Sequence, residues 1–232
     1  MTETVTFSIE KHVAHLTLNN PEKHNALGRK ELDALRLAVA ELSESDSVRV
    51  LVLGGEGDKT FCAGASLQEL NAGDIRGDDY QDMTDAIAAL EIPTVCAING
   101  NVFGGGVELA LSCDFRIGIE GTRMRVPAAS IGLCYPVRGI ERFVQRLGPG
   151  VAKRILVASE TLSADEMLRV GFLDHLVMPA QLEQTVESYA AKLAGLAPIS
   201  VRIMKQIIGN VAAGTHDRQE ARRLAALCDE SE

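Results

Sequence analysis

The sequence predicts an α/β domain followed by a helical C-terminal region, and three observations carry that reading. Apolar, strand-length runs that end in glycine ("VRVLVLGG", "TVCAING", "DFRIGIEG") alternate with helix-period segments. Such runs are apolar on both faces, as strands covered on both sides must be. After about residue 176 the pattern turns helical, with a single short strand-like stretch, "DHLVMP", at the junction. The expected organisation is a core over 1–175 and a helical region over 176–232.

The elements follow in order. "VTFSIEKHVAHLTLNN" alternates apolar and polar residues about a polar break and predicts a hairpin. Leu32, Leu35, Val39 and Leu42 stand at helical spacing in Glu31–Ser43. Helices are expected at Leu67–Asn71, Asp82–Leu90 and Val107–Ser112, with Asn71–Asp82 ("NAGDIRGDDYQD") between the first two as a mobile surface loop. Ser163-Ala-Asp-Glu166 reads as a capping box opening a helix that stops at Gly171. Helices over Gln181–Leu196, Pro198–Asn210 and Gln219–Cys228 complete the chain.

Composition narrows the function classes. Of 232 residues, 46% are hydrophobic and the mean hydropathy is +0.07, enough to build a core. A net charge of −9 without a basic run argues against a nucleic-acid surface. The apolar runs are too short for a membrane span, and "MTETVTFSIEK" lacks the basic and apolar parts of a signal peptide. Five scattered cysteines without a C-x-x-C suggest free thiols in a reducing compartment, so the expected location is cytoplasmic. "GGEGDKT" carries Asp58 where a phosphate loop needs glycine, and no G-x-S-x-G nucleophile elbow is present. Cys134 has no histidine placed by sequence to activate it.

Two segments stand out. In "TFCAGASLQEL" a strand runs into Gly64-Ala65, and Ser66-Leu-Gln-Glu69 has the pattern of a capping box. In "FGGGVELAL" glycines precede a helix that carries Glu108 in an apolar setting. Helix starts leave N–H groups unsatisfied, and two that converge on one oxygen stabilise an oxyanion. An acid beside them suits proton transfer next to a carbonyl. Spacing alone equally fits glycines that only permit close packing, with Glu108 as a helix cap.

"LNNPEKHNAL", "FCAGASLQEL", "AINGNVFGGGVELALSCDFRI" and "PAASIGL" together resemble the crotonase (enoyl-CoA hydratase/isomerase) superfamily, in order, from about Val5 to Cys228. The resemblance implies a spiral of repeated ββα turns and an acyl-CoA thioester substrate, with coenzyme A as part of the substrate and no separate cofactor or metal. It also implies a homotrimer or a dimer of trimers. It places the thioester oxygen on the N–H groups of Ala65 and Gly105, with Ala63, Ser66 and Gly104 around it. Lys23 and His24 fall in the segment along the adenine nucleotide, and Leu27 and Leu67 line the same channel.

The departures are informative. Hydratases of the superfamily use two glutamates on one water; the first maps to Glu108 and the second to Ala128, which cannot move a proton. Ordinary hydration is therefore expected to be impaired. Ser66 replaces an aspartate common in relatives. In "GLCYPVRGIERF", Tyr135 is the candidate to orient a water or substrate carboxylate, and Arg138 to pair with one, unless Arg138 instead pairs with Glu141. Decarboxylation or hydrolysis of a functionalised acyl-CoA, or acyl-CoA binding with little catalysis, are the alternative readings. Relatives continue beyond "LAALCDESE", which implies a more open acyl pocket, or a final segment outside this sequence.

Overall fold

The computed structural model describes residues 4–229. The hairpin forms as β1 (Val5–Glu10) and β2 (Val13–Leu18), antiparallel, with Val5 opposite Leu18. Helix α1 (Arg29–Ser43) then leads to β3 (Val50–Gly55) and the short β4 (Thr60–Cys62). Helices α2 (Leu67–Ala72) and α3 (Gly77–Ala88) follow, then β5 (Thr94–Ile98), β6 (Asn101–Phe103) and α4 (Gly105–Ser112). Next come β7 (Phe115–Ile119), β8 (Arg123–Arg125) and the long α5 (Val137–Leu156). The chain ends through β9 (Leu162–Ser163), α6 (Ala164–Arg169), β10 (His175–Val177), α7 (Leu182–Ala194), α8 (Pro198–Ala212) and α9 (Arg218–Asp229).

These strands make two sheets, β1-β2-β3-β5-β7-β10 and β4-β6-β8-β9. Consecutive strands alternate between them: β3, β5 and β7 are neighbours in the large sheet, and β4, β6 and β8 in the small one, all parallel. Each β-β-helix turn therefore advances one strand along both sheets, which is the spiral that the resemblance implies. Its consequence for a site is direct. Because β4 and β6 are adjacent and parallel, the turns at their C-terminal ends, Gly64-Ala65 and Gly104-Gly105, lie side by side.

The unbroken apolar runs are explained by cover on both faces. Leu51, Leu53, Cys96 and Ile98 face the main core, while Val50, Val52, Val95 and Ile117 face Val186 and Ala190 of α7. Among the described residues no helix is long and apolar enough to cross a membrane.

Two expectations need correction. Asn71–Asp82 is not a loop throughout: α3 begins at Gly77, and Tyr80 and Gln81 are buried. The first turn is held by Asp79, whose Oδ2 accepts the Arg76 N–H at 2.8 Å. The Ser66 capping box is half formed. The Ser66 hydroxyl accepts the Glu69 N–H, but the Glu69 carboxylate turns to the start of α1 and accepts the Arg29 N–H at 2.8 Å. The Ser163–Glu166 box closes in both directions, and Gly171 follows with φ 77°. Helix α5 interrupts its own pattern at Gly148 (φ 75°) before Pro149.

Candidate active site

The site is built where the two glycine turns meet. The only backbone link between Leu27 and Ala65 runs through their neighbours: Leu27 N–H donates to Gly64 O (2.8 Å) and Ser66 N–H to Leu27 O (2.9 Å). The Ala65 N–H consequently points away from Leu27. Gly105 opens α4, so its N–H has no partner within the helix. Among the described residues neither N–H has an acceptor.

Close approach explains the glycines. Gly64 has φ 85°, and a Cβ there would strike the Gly105 nitrogen. Gly104 has φ 52°, a left-handed value that glycine tolerates best. A Cβ at Gly106 would strike the Cys62 carbonyl, and one at Gly105 would meet the Tyr80 ring at 2.7 Å. Both readings left open by the spacing therefore apply: the glycines allow tight packing, and that packing leaves the two N–H groups bare.

Glu108, one turn into α4, is fully buried. The apolar surround expected from the sequence is instead polar. Gln81 Nε2 donates to both carboxylate oxygens at 2.8 and 2.9 Å. The Tyr135 hydroxyl donates to Oε2 at 2.8 Å. Thr84 Oγ1 lies 3.1 Å from Oε1, and its one proton is shared with the Gln81 carbonyl, also at 3.1 Å. Arg142 Nε stands 3.8 Å from Oε1 and has no hydrogen-bond partner among the described residues, while its Nη2 pairs with Asp85. The groups that hydrogen-bond the carboxylate are all donors.

Tyr135 is held by its ring. It packs edge-on against buried Phe143, centroids 5.5 Å apart, and Gly139 leaves the room: a Cβ there would meet the ring at 2.5 Å and Glu108 Oε2 at 2.9 Å. Its hydroxyl is pushed well above the ordinary phenol range, first by burial and then by the Glu108 charge. It therefore remains a donor.

The remaining sequence candidates are spread over several elements. Ala128 is half-buried at the start of a 3₁₀ turn, Ala129–Ile131, with no side-chain polar atom to offer. Arg138 does not pair with Glu141; its guanidinium bonds Asp82 and Asp85 of α3, both at 2.8 Å, so a substrate carboxylate would have to compete with them. His24 Nδ1 is 3.0 Å from Thr60 Oγ1, while Lys23 is exposed with no ion pair among the described residues. Leu27 is buried, Leu67 is 59% exposed, and Ala63 N–H donates to His24 O. Cys134 is exposed, and Cys62 is buried with its thiol pushed up to about 12 by that burial.

Sequence reasoning missed Gln81, Thr84 and Arg142. The signal existed: Tyr80, near the end of the supposed loop, extends the helical spacing of Met83, Thr84 and Ile87 in the expected helix, and all four are buried.

Comparisons with known proteins bear on this geometry. The model of the enoyl-CoA hydratase/isomerase family matches residues 8–227. A crotonyl-CoA hydratase from Syntrophomonas wolfei is 33% identical over 208 residues, 88% of this chain and 80% of that protein. The crystal structure of an enoyl-CoA hydratase from Bacillus anthracis superposes with a TM-score of 0.88 at 29% identity, covering 98% of this chain and 90% of that one. Pseudomonas aeruginosa DspI gives 0.90 at 30% identity, with 98% and 90% covered.

Proposed function

The chain belongs to the enoyl-CoA hydratase/isomerase family, and from that premise we propose that it forms a thioester enolate on an acyl-CoA, using Glu108 as its one carboxylate acid/base. The Ala65 and Gly105 N–H groups receive the thioester oxygen. As the Cα proton passes to Glu108, charge grows on that oxygen, where fixed donors are worth most. The observation that carries this reading is Glu108 itself: wholly buried, oriented by Gln81, Thr84 and Tyr135, and one helical turn from Gly105. A protein that only bound acyl-CoA would have no use for so costly an acid at that spot.

Hydration needs a second proton-moving group at the water, and the position for it is Ala128. General acid–base groups contribute about 10²–10⁴-fold each. Simple enoyl thioesters are therefore poor substrates, and chemistry that needs one acid is favoured. In decarboxylation of an acyl-CoA that carries a carboxylate on Cα, the bond from Cα to that carboxylate breaks, carbon dioxide leaves, the electron pair enters the thioester enolate, and Glu108 in its protonated form returns a proton to Cα. Lys23 and His24 lie toward the coenzyme. The C-terminal helices, whose Met204, Ile208 and Val211 are exposed, pack against further copies in a trimer.

The test follows Cα directly. Wild-type protein should exchange the α-protons of butyryl-CoA into deuterated water, read by mass spectrometry, and Glu108→Gln should not. Exchange that survives in Glu108→Gln, or is absent in the wild type, overturns the reading.

A further inference from the structure

The Tyr80 hydroxyl is a buried polar atom beside the glycine turns that the chemistry above leaves unused. Tyr80 is only 4% exposed, and among the described residues its hydroxyl has no hydrogen-bond partner. Its ring lies over Gly105: a Cβ on Gly105 would stand 2.7 Å from Tyr80 Cζ and 2.8 Å from the hydroxyl oxygen. The glycine at 105 is thus what lets a phenol reach the helix start that offers its bare N–H.

A buried hydroxyl without a partner is a cost the fold carries for some reason. Core packing does not supply one, because phenylalanine would fill the same volume without the loss. Tyr80 stands one residue before Gln81 and four before Thr84, so the helix that orients Glu108 also aims this phenol at the neighbouring turn. We propose that Tyr80 is a third donor to the acyl-thioester oxygen, acting beside the N–H groups of Ala65 and Gly105. This deepens the enolate reading and rests on it.

The chemistry is consistent on two points. Burial, with Cys62, Tyr135 and Glu108 adding to it, holds the phenol well above its ordinary range, so it stays protonated and can donate. A donor at this oxygen also suits a site with a single carboxylate. With no second acid at Ala128, more of the rate must come from stabilising the enolate, and an added preorganised donor does that without moving a proton.

Tyr80→Phe separates the idea from a packing role, since the ring that covers Gly105 remains. Two readouts are compared across wild type, Tyr80→Phe and Glu108→Gln, with butyryl-CoA as the probe. The first is the infrared stretch of the isotope-labelled thioester carbonyl in the bound probe. Tyr80→Phe should move it back toward the value in solution, and Glu108→Gln should leave it in place. The second is α-proton exchange, which Tyr80→Phe should slow roughly a hundred-fold, the usual effect of losing one oxyanion donor, with the melting temperature unchanged or raised. An unmoved carbonyl band in Tyr80→Phe overturns the proposal even where exchange slows. A moved band with no exchange in the wild type keeps the Tyr80 donor and sinks the enolate reading instead. Exchange lost in Glu108→Gln but kept in full by Tyr80→Phe overturns the Tyr80 role alone.

Discussion

Positions 108 and 128, which the family resemblance pairs as the two acids expected of a hydratase, are built very differently here. Glu108 is fully buried, with donors from α3 and from the loop before α5 on both of its oxygens and a guanidinium beside it. Ala128 opens a short turn whose next residues, Ala129 to Cys134, are exposed and make few side-chain bonds. One wall is rigid and charged; the other is small and apolar. The difference teaches that the setting of Glu108 does not depend on a carboxyl at position 128. The network around Glu108 is complete without it, as enolate chemistry through one carboxylate requires.

The largest expected effect comes from breaking the rigid wall. Glu108→Gln keeps the shape and should lower turnover on the true substrate by about 10²–10⁴-fold. Acyl-CoA affinity, measured by calorimetry, should change little. A variant with normal turnover would remove Glu108 from the chemistry.

Rebuilding the soft wall is the next step down. Ala128→Glu puts a carboxyl at the half-buried start of the turn, whose next residues are exposed. Formation of 3-hydroxybutyryl-CoA from crotonyl-CoA should rise at least roughly ten-fold over wild type, toward the usual share of one acid–base group. No gain would mean that the turn does not face the substrate.

How far the sequence revealed this contrast depends on the scale of each signal. The glycine turns and Glu108 were legible because glycine and a lone acid in an apolar run are local signals. The partners of Glu108 were not, because they arrive from 24 to 27 residues away on either side. Helix α3 hid behind composition: three aspartates and two glycines between residues 73 and 79 read as a loop, although they supply its capping and its exposed face. Helix α5 hid behind Gly148-Pro149: Gly148 leaves the helical conformation (φ 75°), and two helical stretches meet there across a kink. The spiral itself was available only through resemblance, since no run of residues encodes which strand enters which sheet.

A smaller effect is expected at Tyr135, which stands between the two walls, on the exposed loop but bonded to Glu108. Tyr135→Phe removes one of the carboxylate's donors and keeps the ring against Phe143, so kcat should fall about ten-fold, less than for the acid itself. The pH profile identifies the role. The folded-state value is raised above the ordinary phenol value near 10, so the donor is fully present below pH 10. It is lost only as the pH rises through that higher folded value. Wild-type kcat should therefore keep its Tyr135 contribution up to pH 10, and the ratio of wild type to Tyr135→Phe should stay flat from pH 7 to 10. A ratio that collapses before pH 9 would mean the phenol ionises early and is not held as a donor.

The smallest effect belongs to Thr84, and it shows how redundant the rigid wall is. Its hydroxyl has one proton and two acceptors at the same 3.1 Å, the Gln81 carbonyl and Glu108 Oε1. At any moment the carboxylate receives only part of that donor, whereas Gln81 Nε2 reaches both oxygens at shorter range. Thr84→Val is close in shape and removes the shared proton, leaving the Gln81 and Tyr135 bonds in place. Stability should drop by about 1 kcal/mol, the usual net worth of one hydrogen bond, and kcat by no more than a few-fold. Gln81→Leu, by contrast, strips the bidentate contact from a buried carboxylate, and both losses should be several times larger. Equal losses in the two variants would mean that Glu108 is oriented by the fit of the cavity and not by its donors, and the contrast between the two walls would then rest on volume alone.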